Sequence, residues 1–447
     1  MRLLLAALGL AFALSPAQAV LAQEDDWGFD DEDGYLADAP ASVEEGEPSW
    51  DLTGDLSLGT SYNYLDHDSA TGTHYGNLSR LRAQLDLQLD LELPREWRLR
   101  VEGYGFYDFT YIFKGRSHYT REVLDDYVWE VDFREVWIDG SLGANLDLKV
   151  GRQIVNWGRS DTLRVLDVLN PLDNREPGLV DIEDLRLPVT MVRVDYFPGW
   201  LPDGWGDWSL QLLVIPEFRQ DRNPAVGNDF NPAPAGFDLP SDKPDRFFDE
   251  PEYGGSITGT FSGWDVSVYA ARIYSNSPRL VVLPGLPPQG SLRHNHVTLL
   301  GTGGNLTRGS WLFKGEIGWF EGVASVLGRN SRLASLAGVE YYGINDLQLA
   351  FEVVHRHVFG SAEEDTFEGA FRATADFMNS RLQVTGVAFV LVGDSHQGSV
   401  IRAEANYQLM DALNLGGGIV LYQSGDSPGL EDIAQNDRLF LRIEYSF

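Results

Sequence analysis

Between Leu81 and Leu93 apolar and polar residues alternate without a break: leucine or alanine at every odd position, and Arg, Gln, Asp or Glu at every even one. An α-helix, with its 3.6-residue period, cannot sort such a sequence into two faces, whereas a β-strand does so automatically. The next segment repeats the pattern, with Trp97, Leu99, Val101, Tyr107 and Phe109 on one side and Arg98, Arg100, Glu102 and Asp108 on the other. Alternation returns at 146–150, 208–214, 264–270, 311–319, 347–353, 398–407 and 413–421. Hydrophobicity divided in this way hides from averages: the chain is 43% apolar, yet its mean hydropathy is −0.21. The only long apolar run is at the N-terminus, so a bundle of spanning helices, each needing about 20 apolar residues, is excluded.

The connections alternate as well. Short turns at 94–96, 262–263, 343–346, 378–380 and 410–412 take turns with longer polar loops at 66–75, 217–254, 274–294, 321–332, 359–366 and 424–436. Strands of about 10 residues with short turns at one rim and long loops at the other describe an all-β, transmembrane antiparallel β-barrel of the outer-membrane type. The layout predicts about 18 strands. Sixteen is the alternative, because the two strands flanking the long segment after Trp157 are the least marked. Lipid cannot satisfy a free sheet edge, so the sheet must close. Trp97, Tyr111, Trp137, Tyr196, Trp200, Trp208, Trp264, Trp311, Trp319 and Tyr341 fall near strand ends and are expected in interfacial girdles. No repeat of 40–50 residues marks a propeller. The chain ends with Leu441, Ile443, Tyr445 and Phe447 on one face. This pattern resembles the C-terminal signal of bacterial outer-membrane barrels, which implicates Tyr445 and Phe447 in recognition by the barrel-assembly machinery, with outer-membrane lipid and lipopolysaccharide as surroundings.

Arg2, an apolar stretch from Leu3 to Leu14, and small residues at Ala17 and Ala19 read as a secretory signal peptide over residues 1–22, cleaved after Ala19 or Ala22. Residues 23–49 form an acidic arm. Eleven Asp and Glu and no Lys or Arg lie between Glu24 and Trp50, which predicts a solvated segment; Trp27, Phe29 and Tyr35 are potential docking anchors within it. The barrel is then assigned to 50–447. A net charge of −33 argues against a nucleic-acid partner. Zero Cys removes thiolate metal sites, cysteine nucleophiles and disulfides, and no other cofactor is suggested.

If the apolar faces meet lipid, the polar faces line a lumen. Arg82, Arg98, Arg100, Lys149, Arg193, Lys314, Arg356, Arg372, Arg402, Arg438 and Arg442 fall on the polar faces. So do Asp86, Asp90, Glu92, Glu102, Asp147, Asp195, Glu316, Glu340, Glu352, Glu368, Glu404 and Glu444. The near balance predicts a wet wall with pairs across neighbouring strands rather than a filter of one sign. One loop is too apolar to stand in water. After Gly158 breaks the strand pattern, Leu163, Leu166, Val168 and Leu169 suit one face of a short helix stopped by Asn170-Pro171. The segment 158–186 is therefore expected to fold into the barrel mouth. There Arg152, Asp161, Arg164, Asp167, Asn170 and Asp173 would stand near a constriction, with Arg164 paired to Asp161 or Asp167 and Asn170 capping the turn. The alternative is that the same residues only brace the wall.

Residues 151–161 (GRQIVNWGRSD), 167–173 (DVLNPLD), 184–189 and 215–219 resemble an uncharacterised family of proteobacterial outer-membrane barrel proteins that carries a domain-of-unknown-function label. The resemblance is strong over about 150–231. It implies an outer-membrane location and a transport role, and members often accompany RND-type exporters of hydrophobic molecules. The function expected is thus a porin-like channel or exporter of small, hydrophobic molecules. A rim enzyme and a structural or adhesin barrel are the alternatives. His355-Arg356-His357 and His294-Asn295-His296 are the nearest approaches to a metal or catalytic set, and both read as exposed rim histidines because no suitably spaced nucleophile or carboxylate accompanies them.

Overall fold

The computed structural model describes residues 49–65, 73–180, 183–202, 204–231, 241–242, 247, 250–283, 289–325, 328–360, 365–393, 395–426, 430 and 433–447. The expected signal peptide and the arm up to residue 48 lie outside the described residues. The strands are β1 (Ser49–Asn63), β2 (Asn77–Leu93), β3 (Trp97–Asp108), β4 (Trp129–Ser141), β5 (Leu146–Gln153), β6 (Val189–Tyr196), β7 (Asp207–Ile215), β8 (Ser241–Asp242), β9 (Glu252–Phe261), β10 (Trp264–Tyr274), β11 (Arg279–Leu283), β12 (Gln289–Arg293), β13 (His296–Arg308), β14 (Trp311–Ser325), β15 (Gly328–Ile344), β16 (Leu347–Phe359), β17 (Thr366–Phe377), β18 (Leu382–Val392), β19 (His396–Met410), β20 (Leu413–Gln423) and β21 (Arg438–Ser446). Eighteen of them form one antiparallel sheet in which each strand pairs with the next, while β8, β11 and β12 make a small separate sheet in the loops. The large sheet closes when β21 pairs with β1, Asp55 opposite Ser446 and Asn63 opposite Arg438. The last residue extends the seam, with Gly54 and Phe447 exchanging two backbone hydrogen bonds of 2.9 Å. The result is a closed 18-stranded barrel of the outer-membrane type, and both strands of the least marked pair, β5 and β6, are present.

The alternation is realised as predicted. Leu52, Leu56, Leu58, Leu300, Ile317, Phe351, Phe371, Ile401, Leu441 and Ile443 stand exposed on the outer face, which only a lipid environment makes favourable over so large an area. Among the short turns, Arg95 and Glu96 both adopt φ near +60°, the handedness that suits a tight hairpin between right-twisted strands.

Four expectations are corrected. The loop expected over 321–332 is replaced by strand: β14 and β15 run on to Ser325 and Gly328, with a bulge at Glu321/Val323 where Gly322 takes φ +92°. Trp137 is inside the barrel, not in a girdle. A bulge on β4, where Val101 opposes Val136 but Gly103 opposes Phe133, inserts a residue and turns Trp137 inward over Lys149. Tyr111 is likewise buried, in a loop that folds into two short helices, α1 (Thr110–Phe113) and α2 (Arg121–Tyr127); Thr120 caps the second by accepting from the Val123 N–H. Finally, residues 163–169 form no helix and run as irregular chain packed inside the barrel.

Candidate functional site

The irregular course of residues 154–170 follows from what satisfies its backbone. Glu352 on β16 is 2% exposed; its carboxylate accepts from the Ser160 hydroxyl at 2.5 Å and from the N–H groups of Asp161, Thr162 and Leu163 at 3.2, 3.3 and 3.0 Å. Glu316 on β14, also buried, accepts from the N–H groups of Arg159 and Leu166. Between them, Lys314 bridges Asp161 (2.8 Å) and the buried Glu340 on β15. A carboxylate taken out of water is costly unless its lone pairs are met, and a cluster of backbone N–H groups meets them. The wall thus supplies acceptors that a helix would have taken from its own carbonyls. Around these anchors the loop buries Val155, Trp157, Leu163, Val165, Leu166 and Leu169 against inward residues such as Met191, Leu213, Ile273, Leu299, Phe320, Leu336 and Val354. Glycines make room: a Cβ on Gly254 would lie 2.8 Å from the Trp157 ring, and one on Gly318 would lie 3.1 Å from Leu166.

The second half of the loop crosses to the opposite wall. Asn170 turns the chain, accepting from the Val155 N–H (2.9 Å) and donating to the Leu187 carbonyl (2.9 Å). Asp167 holds both Arg164 (2.8 Å) and Arg186 (2.9 Å). Beyond it, Arg175 joins Asp173 and Glu130, and Glu176 takes Arg82 of β2 in a two-pronged pair at 2.9 and 3.2 Å. Burial pushes the Glu176 carboxyl up, but Arg80, Arg82 and Arg175 around it outweigh that and hold it near about 2. Further loops stack on this layer. Arg222 pairs with Glu130 and donates its N–H to the Leu172 carbonyl, Thr120 donates to Val226, Tyr75 to Gly227, and Arg438 grips Asp229 at 2.8 Å. Arg152 and Arg219 share Asp132, at 3.0 and 2.9 Å.

Below the layer lies a cavity of about 680 Å³. Its walls come from β1–β4 and β19–β21, and its lid from residues within 173–180 and 184–188 and from Arg219. It reaches Asn414, Arg442 and Glu444 near the short-turn rim. A second cavity of about 30 Å³ lies on the other side of the layer; Ser61, Arg80, Glu176 and Leu179 line both.

Of the residues expected at the constriction, Asp173 lines the large cavity. Asp161, Arg164, Asp167 and Asn170 hold the loop to the wall and to itself, and Arg152 supports the lid through Asp132 and the Pro188 carbonyl. Of the expected lumen wall, Arg82, Glu102, Arg402, Glu404, Arg442 and Glu444 line the cavity, with Arg402–Glu404 and Arg442–Glu444 paired along their own strands. Arg98 pairs with Asp139 and Arg100 with Asp90. Tyr445 and Phe447 stack on the outer face with ring centroids 6.2 Å apart. Sequence reasoning missed Glu316, Glu340 and Glu352 as loop anchors and Arg175, Glu176 and Leu179 as the lid. A signal was present for the first group: Leu312, Gly318, Phe320, Ala334 and Leu336 make the inward face of β14 and β15 apolar around the acids, which a wet wall does not require.

The histidine pairs have structural partners. His355 and His357 both contact Asp365, at 2.9 and 2.5 Å, and His355 stacks on Phe367. His294 and Asn295 are buried rather than exposed, His294 against Phe218 and the Ser275 carbonyl, because the loops fold over them. Among the described residues no cluster of His, Asp or Glu is arranged to hold a metal.

Residues 1–447 match the model of a family described as "Protein of unknown function (DUF1302)". No match is found among curated proteins. Solved structures similar to the chain include OccAB2 of Acinetobacter baumannii (11% identity, 89% of this chain and 98% of that one, TM-score 0.49). Others are OpdK of Pseudomonas aeruginosa with vanillate (12%, 89% and 98%, TM-score 0.47) and OmpT of Vibrio cholerae in its trimer form (12%, 90% and 100%, TM-score 0.45).

Proposed function

Since this chain belongs to the DUF1302 family, whose function is unknown, we propose from its own geometry that it is an outer-membrane channel for small organic molecules, hydrophobic ones included, with residues 154–180 and 184–188 as an internal plug that sets its bore. The observation that carries this reading is the cavity of about 680 Å³ inside the closed barrel, reaching from the short-turn rim to the layer of Ser61, Arg80, Glu176 and Leu179. Its lining mixes arginines and carboxylates with Phe106, Leu179, Val180, Leu187 and Pro188, a surface that suits partly apolar solutes. Short turns face the periplasm in barrels of this kind. The cavity therefore opens toward the side on which an RND-type exporter would deliver its cargo. Planar-bilayer recording on the purified, folded barrel tests the reading. Discrete unitary currents are expected, and a folded barrel that never conducts overturns it.

A further inference from the structure

The cavity holds one guanidinium whose hydrogen-bonding capacity is almost unused. Arg80 lines both the large and the small cavity. Among the described residues its single ionic contact is Glu176 at 3.5 Å, and that carboxylate already receives both prongs of Arg82. The Arg80 Nε is buried with no hydrogen-bond partner. Five N–H donors on a fixed planar fork are thus left with one distant, shared acceptor.

The wall beside Arg80 is hollow. In the register of the seam, Gly59 of β1 stands between Arg442 of β21 and Arg82 of β2, and Ser61 stands between Phe440 and Arg80. A Cβ on Gly59 would meet nothing within 4 Å. The recess is therefore floored by glycine, flanked by Arg82 and Arg442, and roofed by Arg80. The carboxylates of this corner, Glu176 and Glu444, are each engaged by an arginine. The third arginine has none to itself. Asp108, on the far side of Arg82, is committed to the N–H groups of Leu81 and Thr110. The walls next to the recess are flat and apolar: Phe106 lies under the Arg82 guanidinium at 4.0 Å, Phe440 under Arg402 at 5.2 Å, and Leu179 forms the lid.

We propose that the Gly59 recess is a binding subsite for an organic carboxylate with a flat apolar body, its carboxylate received by the Arg80 fork and its body lying along Phe106, Phe440 and Leu179. A carboxylate offers two coplanar acceptors at the spacing of a guanidinium edge. A monoanion also matches Arg80, the arginine of this corner that has, among the described residues, no carboxylate to itself. This subsite deepens the channel reading and rests on it, because it names a solute class that the passage would favour.

Benzoate is the probe, titrated calorimetrically into the folded full-length barrel in detergent, with benzyl alcohol and acetate as controls that lack the charge or the ring. Wild-type protein is expected to bind benzoate about tenfold or more tightly than either control. Arg80→Gln, which removes the fork, and Gly59→Val, which fills the recess while keeping every charge, should each weaken benzoate by about tenfold or more while retaining the heat-dependent shift in electrophoretic mobility. Absence of benzoate binding, equal binding of benzyl alcohol, or wild-type affinity in either folded variant would overturn the subsite. Bilayer recording on the same preparations separates the two claims. Binding without any conductance removes the channel and leaves the subsite; conductance without binding does the reverse.

Discussion

The inner wall of this barrel has two sectors built on the same alternation and used in opposite ways. From β6 to β17 the inward face carries most of the apolar residues that the loop covers, and Glu316, Glu340 and Glu352 are buried among them. On β2–β5, β19 and β21, beside the seam, the inward charges pair along or across strands, and Arg82, Arg402, Glu404, Arg442 and Glu444 among them line the cavity. An inward carboxylate therefore has two meanings. In the wet sector it balances a neighbouring arginine; in the covered sector Glu316 and Glu352 replace the hydrogen-bond acceptors that a loop without secondary structure lacks.

Deleting Thr162–Leu169 tests that difference most severely. The deletion removes Leu163, Val165, Leu166 and Leu169 from the covered sector, four buried side chains worth about 1.5 kcal/mol or more each. It also releases the chain that carries the lid across the lumen. Unitary conductance should rise several-fold in the barrels that assemble. An assembled deletion with wild-type conductance would mean that the loop braces the wall without limiting the bore.

Glu352→Ala is the next largest perturbation. It leaves the N–H groups of Asp161 and Thr162 and the Ser160 hydroxyl without their acceptor, and the Leu163 N–H with Ser160 Oγ alone. Since an unmet buried donor costs about 1–3 kcal/mol, the loop should loosen by on the order of 3 kcal/mol or more. Urea unfolding and faster proteolysis near residue 162 would register the change, together with noisier single-channel currents. If stability and current noise match the wild type, the carboxylate is not the anchor that its contacts describe.

These two sectors also mark how far the sequence could be read. The strand faces, the alternation of short and long connections, the closure of 18 strands and the inward folding of the loop were all legible, because each rests on local periodicity or on the insolubility of a polar backbone in lipid. The function of a polar face was not legible, because it depends on what covers that face from elsewhere in the chain. Glu352 meets Ser160 across 192 residues, and Arg82 meets Glu176 across 94. Nothing local in the sequence announces either pair. Bulges escaped for a related reason. One extra residue on β4 reverses the facing of Trp137, and its signature, Arg134-Glu135 side by side, is too short to weigh against the expected aromatic girdle.

The wet sector predicts a weaker response. Arg98 is bound to Asp139 by two hydrogen bonds of 3.1 and 3.3 Å, but its side chain is 68% exposed. Replacing both, Arg98→Gln with Asp139→Asn, should change unfolding stability by less than about 1 kcal/mol, as for other solvent-screened pairs. A loss comparable to that of Glu352→Ala would erase the distinction between the sectors.

The smallest effect is expected from pH at the boundary between them. Glu176 sits in the lid, where three arginines hold its carboxyl near about 2 against an ordinary value of 4.5. A carboxylate depressed by folding contributes stability that is fully present above its unfolded value and lost as pH falls from there toward its folded value. The ion pairs of Arg80 and Arg82 should therefore stay intact from neutral pH down to about 5, then weaken progressively between about 4.5 and 2. Conductance measured at about pH 7 and about pH 5 should coincide in the wild type. In Glu176→Gln, which lacks the charge at every pH, conductance at neutral pH should already resemble that of the acidified wild type. A conductance step between pH 7 and 5 that Glu176→Gln abolishes would show that this carboxyl titrates in that window and that the arginines do not hold it down.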